Sequence, residues 1–201
     1  LPGAGVWLTA PPAQDGREMD APLFRIAVKQ RLRAPVLAHD TSCPCCGQVM
    51  DKFGDHAAVC PCKGDRTVRH NALCNLCQED AVAGGSRAER EKLGLLPARP
   101  SEDDLPGSSQ NRRPADVWLP QGTDGRSEAL DFAVTSGMRA DRLHRSTTEP
   151  GSVLKEYELF KKTYKDTGQQ CEQAGFRFTP MVLEAHGGSW SPVARQVFDR
   201  L

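Results

Sequence analysis

Apolar residues at helical spacing predict a helix near the start of the chain, after an irregular connector. Residues 1–18 are rich in Gly, Pro and Ala, a composition typical of a connector. Asp20 is a suitable N-cap, and Pro22 a suitable first-turn residue, for the helix that follows. The predicted apolar face of this helix consists of Leu23, Phe24, Ala27, Val28 and Leu32.

Farther along, the pattern predicts one more short helix and then a linker. Ala, Glu, Arg and Lys are frequent between residues 78 and 93, which favours a helix interrupted at Gly84 and Gly85. Residues 94–114 contain four prolines together with several Ser, Asp and Asn residues. This segment is therefore predicted to be a linker or a long loop.

The second half of the chain begins with the pattern of a β-hairpin. Residues 117–119 form a short apolar run that ends at Pro120, and residues 129–135 form a longer run. Residues 121–125, which lie between the two runs, contain two glycines and have the composition of a turn. Two strands around such a turn predict a hairpin.

The remaining pattern predicts further helices and one more strand. Residues 137–151 are basic and irregular, whereas Ser152 can cap a long helix that continues to about residue 174. Residues 176–184 predict a strand, and Ser191 with Pro192 predicts the start of a terminal helix. The order strand, strand, helix, strand, helix predicts an α/β core.

Composition favours a soluble globular protein without a membrane span. The chain has 201 residues, 38% of them hydrophobic, and a mean hydropathy of −0.52. No apolar run approaches the ~20 residues that a transmembrane helix needs. The chain begins at Leu1 without a methionine, which is compatible with a fragment of a longer protein.

Charge gives only local support for nucleic-acid binding. Lys and Arg together number 26, as do Asp and Glu, so the net charge is zero. Basic stripes can bind phosphates by releasing counterions, although they are more often the solvated face of a helix or loop. Two such stripes are present: Arg139, Arg142, His144 and Arg145, and Lys155, Lys161, Lys162 and Lys165.

The distribution of cysteines indicates a bound metal. The chain has eight cysteines, and seven of them lie between Cys43 and Cys77. A secreted disulfide scaffold usually spreads its cysteines over the whole chain. A dense cluster that includes histidines predicts metal binding in a reducing compartment instead.

Four of these residues have the spacing of a structural zinc site. Cys43 and Cys46 form a C-x-x-C pair, and His56 and Cys60 follow with the spacing of one helical turn. Zinc takes four such ligands at tetrahedral corners, and a site with four protein ligands has no open position for catalysis. We therefore predict a structural zinc site.

A second set of zinc ligands is also compatible with the sequence. Cys74 and Cys77 form another C-x-x-C pair, which could join Cys43 and Cys46 in a four-cysteine site. The compact loop between residues 43 and 60 favours the first set. Cys45 and Cys62 also lie close to it in sequence.

Two aspartates lie where a hairpin would bring them together. Asp116 immediately precedes the first predicted strand, and Asp131 interrupts the apolar run of the second. An unpaired carboxylate inside an apolar strand would cost on the order of several kcal/mol, so Asp131 needs a partner or a metal. Two carboxylates and a backbone carbonyl can hold Mg²⁺. A turn aspartate and a hydrogen-bonded strand aspartate would give the same pattern.

Lys161 is the best candidate for a third catalytic residue. A lysine can orient an attacking water and counter negative charge. Lys155 and Lys162 point to the opposite side of the predicted helix, and a lysine at the edge of a buried face can also simply extend to water. Lys161 borders the predicted apolar stripe of this helix, which is formed by Val153, Tyr157, Phe160 and Tyr164.

In their order along the chain, these motifs resemble the C-terminal region of early-branching, site-specific non-LTR retrotransposon proteins. In that family, a CCHC zinc knuckle precedes a restriction-like endonuclease of the PD-(D/E)xK superfamily. The resemblance extends from about residue 20 to about residue 190. The matching pieces are Cys43-Pro44-Cys45-Cys46-Gly47, Phe53-Gly54-Asp55-His56 with Cys60, Arg69-His70-Asn71, Arg113-Pro114-Ala115-Asp116, Leu130-Asp131-Phe132-Ala133-Val134, Tyr157-Glu158 with Lys161, Phe178-Thr179-Pro180-Met181-Val182, and Glu184.

The resemblance implies a restriction-endonuclease-like α/β core with a small N-terminal zinc-binding subdomain. The implied domains are a connector with an N-terminal helix (1–42), the zinc knuckle (43–77) and the endonuclease domain (78–201). Asp116 and Asp131 match the two acids that bind the catalytic Mg²⁺ or Mn²⁺. Lys161 matches the lysine that this family moves onto a helix.

The implied function is nicking of target DNA, so that a reverse transcriptase in the same polyprotein can prime from the exposed 3′ end. The implied partners are double-stranded DNA, element RNA and that reverse transcriptase, with no membrane, and the implied location is the nucleus. The residues expected to contact nucleic acid are Arg69, His70, Arg139 and Arg142. Arg69 and His70 could instead pack the knuckle against the nuclease.

Three departures from the family pattern leave other functions open. The Pro-Asp dipeptide is here Pro114-Ala115-Asp116, Ala133 occupies the usual lysine position, and Cys74 and Cys77 are additional. One alternative is a catalytically inactive nucleic-acid-binding module derived from such an endonuclease. Another is a zinc-stabilised interaction domain without a role in nucleic-acid binding.

Overall fold

Short helices and strands alternate along the chain, which is described here by a computed structural model covering residues 1–10, 18–62, 65–97, 112–122, 124–139 and 141–201. The helices are α1 (Ala21–Arg31), α2 (Asp55–Val59), α3 (Asp65–Ala83), α4 (Leu143–Thr148), α5 (Ser152–Thr163), α6 (Thr167–Gln173) and α7 (Pro192–Phe198). The strands are β1 (Thr41–Ser42), β2 (Val49–Met50), β3 (Glu89–Arg90), β4 (Val117–Leu119), β5 (Glu128–Thr135) and β6 (Arg177–Glu184).

These elements belong to two compact units, each built from separate stretches of the chain. The first unit comprises Leu1–Arg69, Ser136–Val153 and Glu184–Ser189, and the second comprises His70–Thr135, Leu154–Leu183 and Trp190–Leu201. Helix α3 crosses the predicted boundary between residues 77 and 78 without a break. The predicted division into domains stays a prediction.

The first unit contains α1 and the small hairpin formed by β1 and β2. The predicted start of α1 is confirmed, because the Asp20 side chain accepts a hydrogen bond from the Leu23 N–H at 2.8 Å. None of the residues of α1 is buried, so its predicted apolar face stays largely open to solvent. Strands β1 and β2 are antiparallel, with Thr41 opposite Met50.

The second unit contains a four-stranded sheet in the order β3-β4-β5-β6. The predicted hairpin is confirmed: β4 and β5 are antiparallel, with Val117 opposite Leu130 and Leu119 opposite Glu128. Strand β6 begins beside the start of β5, since the Arg177 N–H donates to the carbonyl of Ser127.

Both faces of this sheet are buried, which is why its strands are almost continuously apolar. On one face, Val117, Leu119, Leu130 and Phe132 pack with residues of α3 and α7. On the other face, Trp118 and Ala129 pack with Cys171 of α6 and with Phe176 and Phe178. Helices on two sides of a sheet give the mixed α/β architecture, so the predicted class is confirmed at this level.

The helix predicted over residues 78–93 is wrong in its position. Helix α3 starts at Asp65, ends at Ala83, and is followed by the short strand β3. Gly85 has a φ of +88°, a conformation that favours glycine and ends a helix. Of the predicted linker, residues 98–111 lie outside the described residues.

Two predictions for the region after the hairpin need correction. Residues 137–151 are not wholly irregular, since α4 lies within them. The single long helix from Ser152 to about residue 174 is interrupted, because Lys165 and Asp166 have φ values of +49° and +54°. The strand at β6 and the capped helix α7 are confirmed, and the Ser191 side chain accepts a hydrogen bond from the Ala194 N–H.

Among the helices of the described residues, none combines the length and the apolar character needed to cross a membrane.

Candidate metal centre and catalytic site

Four side chains of the first unit converge on one point with the spacing of zinc ligands. The ligand atoms of Cys43, Cys46, His56 and Cys60 all lie within 4.8 Å of one another. The Sγ atom of Cys60 lies 3.9 Å from that of Cys43 and 3.8 Å from that of Cys46. A tetrahedral site with Zn–S bonds of about 2.3 Å places two sulfurs about 3.8 Å apart. The group therefore fits Zn²⁺ and could bind it.

Backbone hydrogen bonds in the β1–β2 hairpin form the turn that carries two of these cysteines. The Cys43 N–H donates to the Gln48 carbonyl at 2.8 Å, and the Gly47 N–H donates to the Cys43 carbonyl at 2.9 Å. Gly47 has a φ of +73°, which glycine adopts without strain. Backbone N–H groups of Cys45 and Cys46 lower the pKa of Cys43 to about 6, which favours the thiolate that zinc requires.

Asp51 and Arg33 fix the helix that carries His56. The Asp51 carboxylate accepts hydrogen bonds from the N–H groups of Phe53, Asp55 and His56. The Arg33 guanidinium forms two hydrogen bonds to the Asp55 carboxylate, at 2.6 and 2.7 Å. These contacts hold the first turn of α2, and they orient the imidazole of His56 toward Cys46, at 3.2 Å.

The geometry favours the first of the two predicted ligand sets. Within the described residues, Cys74 belongs to a different group of possible metal ligands, formed with His70 and Asp116. Cys77 belongs to neither group. A set of four protein ligands leaves zinc no open position, so the residues from Cys43 to Cys60 have the chemistry of a structural site.

The second unit brings the two predicted aspartates and the predicted lysine together. Lys161 Nζ of α5 lies 2.7 Å from Asp131 Oδ2 in β5. Val117 is opposite Leu130 in this antiparallel pair. Asp116, which precedes Val117, and Asp131, which comes after Leu130, therefore lie at the same end of the hairpin. The Asp116 carboxylate accepts a hydrogen bond from the Phe132 N–H at 2.6 Å, which ties it to the strand that carries Asp131.

Burial and neighbouring charges shift the pKa values at this site. Burial raises the pKa of Asp131, and the Asp116 carboxylate adds to this effect, while the charges of Lys161 and His70 oppose it. Burial lowers the pKa of Lys161, but the charge and hydrogen bond of Asp131 outweigh it and leave the pKa above its ordinary value. Lys161 is therefore protonated at neutral pH. Two carboxylates and one ammonium group therefore lie close together at this end of the hairpin.

His70 and Arg90 complete the surroundings of Asp116. His70 Nε2 lies 3.2 Å from Asp116 Oδ1, and this contact is the main cause that raises the pKa of His70 to about 10. The Arg90 Nε–H donates to the Asp116 carbonyl at 3.0 Å, and its guanidinium also donates to the Asn75 side chain. His70 was predicted to contact nucleic acid, and Arg90 was not predicted to take part in a site. The only sequence signal for this arrangement is the spacing of His70 and Cys74, four residues apart in a helix.

The other predicted nucleic-acid contacts already have partners within the protein. Arg69 donates a hydrogen bond to the Ala58 carbonyl of α2. Arg139 pairs with Asp141 at 3.1 Å, and Arg142 lies 3.9 Å from the same carboxylate. These arginines lie at the surface, where such pairs are weak and exchange readily with other anions. Lys155, Lys162 and Lys165 are also exposed.

Comparison of this chain with protein-family models and with curated proteins gives no match.

Proposed function

We propose that this chain is a divalent-metal-dependent DNA endonuclease with a restriction-endonuclease-like core and a structural zinc knuckle. The observation that carries the proposal is the position of Lys161, whose ammonium group lies 2.7 Å from Asp131. Strand β4 begins directly after Asp116. Asp131 follows Leu130 in β5, the strand that pairs with β4. Two acids and a lysine from three parts of the chain thus converge, as the resemblance to restriction-like endonucleases requires.

Each of these residues has a role in phosphodiester cleavage under this proposal. Asp116 and Asp131 would hold a Mg²⁺ or Mn²⁺ ion through their carboxylates. A bound ion of this kind lowers the pKa of a water molecule and neutralises charge on the scissile phosphate. Lys161 keeps its proton through Asp131 and supplies a fixed positive charge for the phosphate or the attacking water.

Ala133 stands at the position where the common motif has its lysine. Its side chain is almost fully buried, at 9% exposure, so a lysine there would have to bury its ammonium group. Lys161 reaches the same acids from α5, and its side chain is 23% exposed. This exposure supports a lysine that has moved to the helix and remains accessible to a phosphate.

The wider role that we propose is nicking of double-stranded target DNA in the nucleus for retrotransposon insertion. The zinc knuckle would help to hold the DNA, and a reverse transcriptase of the same polyprotein, with its element RNA, would use the exposed 3′ end. Arg69, Arg139 and Arg142 are the basic residues proposed to contact the DNA backbone. Their present partners are a carbonyl and a carboxylate that a phosphate could replace.

The test is nicking of supercoiled plasmid DNA by the zinc-loaded chain with Mg²⁺ or Mn²⁺. We expect Asp131→Ala to abolish nicking while the zinc content stays unchanged. The double variant Asp116→Ala/Asp131→Ala should also abolish nicking while zinc at Cys43, Cys46, His56 and Cys60 is retained. Lys161→Gln should lower the rate about 10²–10³-fold, the usual loss for one stabilising group. Lys162→Gln is the matched control, because Lys162 is the adjacent residue and is exposed. It should cleave like the native chain.

The outcomes separate the proposal from its alternatives. Nicking by Asp131→Ala at the native rate would remove the proposed site. A folded, zinc-loaded chain that binds DNA in a salt-dependent way but does not nick it would be an inactive nucleic-acid-binding module. A chain that neither nicks nor binds DNA would be a zinc-stabilised interaction domain.

A further inference from the structure

His70, Cys74 and Asp116 form a second group of possible metal ligands, and nothing in the zinc knuckle or in Lys161 accounts for it. Helix α3 carries His70 and Cys74 one turn apart on the same face. The imidazole Nε2 of His70 lies 3.6 Å from Cys74 Sγ and 3.2 Å from Asp116 Oδ1. All three ligand atoms lie within 4.8 Å of one another.

These distances fit a tetrahedral metal site. With Zn–N and Zn–O bonds of about 2.0–2.1 Å and Zn–S bonds of about 2.3 Å, nitrogen and sulfur ligands lie about 3.5–3.6 Å apart, and nitrogen and oxygen ligands about 3.3–3.4 Å. Hydrogen bonds alone would also bring these atoms together. A metal, however, requires all three ligand atoms to lie around one common point at the same time.

The chemistry of the three ligands selects the ion. An imidazole, a thiol that can become a thiolate, and a carboxylate form the borderline set that binds Zn²⁺ and Co²⁺. Mg²⁺ prefers oxygen ligands only, so Cys74 would contribute little to its binding. Three protein ligands leave one tetrahedral position open, which is the pattern of reactive zinc sites.

Burial and neighbouring hydrogen bonds suit such a site. Cys74 is fully buried, whereas the side chains of His70 and Asp116 are 35% and 21% exposed. The thiol would therefore form the floor of the site, and the other two ligands its rim. The Phe132 N–H donates to the Asp116 carboxylate, and the Arg90 guanidinium donates to the Asp116 backbone carbonyl. Such contacts fix the orientation of a ligating carboxylate.

We propose that His70, Cys74 and Asp116 bind a divalent transition metal, preferentially Zn²⁺, with one coordination position open. This proposal rests on the proposed function only through Asp116, a proposed ligand of the catalytic Mg²⁺ or Mn²⁺ that would also bind the transition metal. It does not require cleavage, because metal binding is measured without DNA. Failure of this proposal and failure of the proposed nuclease are therefore distinguishable.

The experiment counts zinc in the intact 201-residue chain after equilibration with Zn²⁺ and dialysis, using elemental analysis. The native chain should retain two Zn²⁺ ions, one in the knuckle and one at His70, Cys74 and Asp116. The variants Cys74→Ala and Asp116→Asn should each retain one. Cys77→Ala is the matched control, because Cys77 lies in the same helix, is 1% exposed and does not belong to the group. It should retain two.

A spectrum identifies the ligand. Adding Co²⁺ to the chain with zinc in the knuckle should give the near-ultraviolet absorption of a cobalt–thiolate bond, and this absorption should be lost in Cys74→Ala but kept in Cys77→Ala. A native chain that retains one Zn²⁺ and shows no such absorption would overturn the proposal. Equal zinc loss in Cys74→Ala and Cys77→Ala would also overturn it. If Cys74→Ala does not fold, the nearly isosteric Asp116→Asn decides between the outcomes.

Discussion

The proposed zinc knuckle and the carboxylate site of the second unit are held together in different ways. The knuckle ligands are Cys43, Cys46, His56 and Cys60, and the carboxylate site consists of Asp116, Asp131, Lys161 and His70. The four knuckle ligands come from one short segment, and the turn between Cys43 and Gly47 is closed by its own backbone hydrogen bonds. At the carboxylate site, Asp131 comes from β5, Lys161 from α5 and His70 from α3. The buried core includes residues of β5 and α3, and Lys161 of α5 pairs with Asp131, so the carboxylate site depends on contacts between distant parts of the chain.

The two regions also differ in how much apolar surface they bury, and therefore in what stabilises them. The segment around the knuckle buries few large apolar side chains: Val49 and Val59 are 68% and 50% exposed. With so little apolar burial, this segment would gain much of its stability from a zinc ion bound to the four ligands. The sheet buries Val117, Leu119 and Leu130 completely or nearly so, and can therefore hold partly exposed charged groups in place without a metal.

Removal of zinc should have the largest effect and should be confined to the knuckle. Structural zinc contributes on the order of 10 kcal/mol of binding free energy, which is also free energy of folding. We expect a chelator to abolish amide-exchange protection in β1, β2 and α2, while the amides of β4 and β5 stay protected. Hydrogen exchange followed by mass spectrometry measures both regions in one experiment.

Cysteine variants provide the control for zinc removal. Cys46→Ala should lose the knuckle zinc and the protection of the hairpin, whereas Cys62→Ala should keep both, because Cys62 lies outside the ligand group. If protection in β1 and β2 survives complete removal of zinc, the knuckle is not stabilised by metal, and the contrast between the two regions is lost.

A core substitution in the hairpin should have the opposite pattern. Leu130 is fully buried in the sheet, so Leu130→Ala should lower the free energy of unfolding by about 2–5 kcal/mol. The knuckle zinc should be retained. Denaturant unfolding and elemental analysis measure the two quantities.

The same strand offers a matched control for Leu130→Ala. Val134 is 40% exposed, so Val134→Ala should change stability by only about 0.5 kcal/mol. Zinc loss from Leu130→Ala would mean that the knuckle depends on the sheet, which would contradict the expectation that the two regions are stabilised separately.

The smallest effect concerns Arg33, which supports the knuckle from outside. Its guanidinium makes two hydrogen bonds to Asp55 and lies 4.3 Å from the centre of the Phe53 ring. Lysine keeps the charge but loses the paired geometry, so Arg33→Lys should cost about 1 kcal/mol. This corresponds to a roughly fivefold faster release of zinc to a chelator, measured by stopped flow.

Lys52→Arg is the corresponding control, because its ammonium group approaches the same ring, at 5.3 Å. Its zinc release should match that of the native chain. An unchanged rate in Arg33→Lys would show that the knuckle is fixed by its own turn and by zinc alone.

Local patterns predicted much of the fold but not its long-range contacts. Asp20 was predicted as a helix cap and Ser191 as part of a helix start, and both side chains cap their helices, because a cap depends only on the next few residues. The predicted cap at Ser152 is wrong: α5 begins at Ser152 itself, and its buried hydroxyl has no hydrogen-bond partner among the described residues. The stripe of α5 was predicted less well: Val153 is buried, but Phe160 and Tyr164 are about half exposed. A periodic pattern gives the period of a helix but not which elements are available to cover its face.

The extent of α3 shows the same limit. The sequence around Cys74 was interpreted through its cysteines as part of the knuckle, whereas the chain forms one helix from Asp65 to Ala83. Cys74 and Cys77 lie on the face of α3 that packs against the sheet. A buried thiol in a core and a metal-binding thiol have the same sequence signature, and neighbouring ligand atoms distinguish them: His70 and Asp116 lie beside Cys74, whereas Cys77 belongs to neither group of possible metal ligands.

The sequence by itself determined the groups whose partners are near in the chain. These are the knuckle ligands, the hairpin that carries Asp116 and Asp131, and the capped ends of two helices. Their geometry follows from turns and hydrogen bonds over a few residues. Only the tertiary structure decided that Lys161 reaches Asp131, and that His70, Cys74 and Arg90 surround Asp116. These contacts join distant elements, and their formation depends on how the two faces of the sheet are covered, which no local pattern encodes.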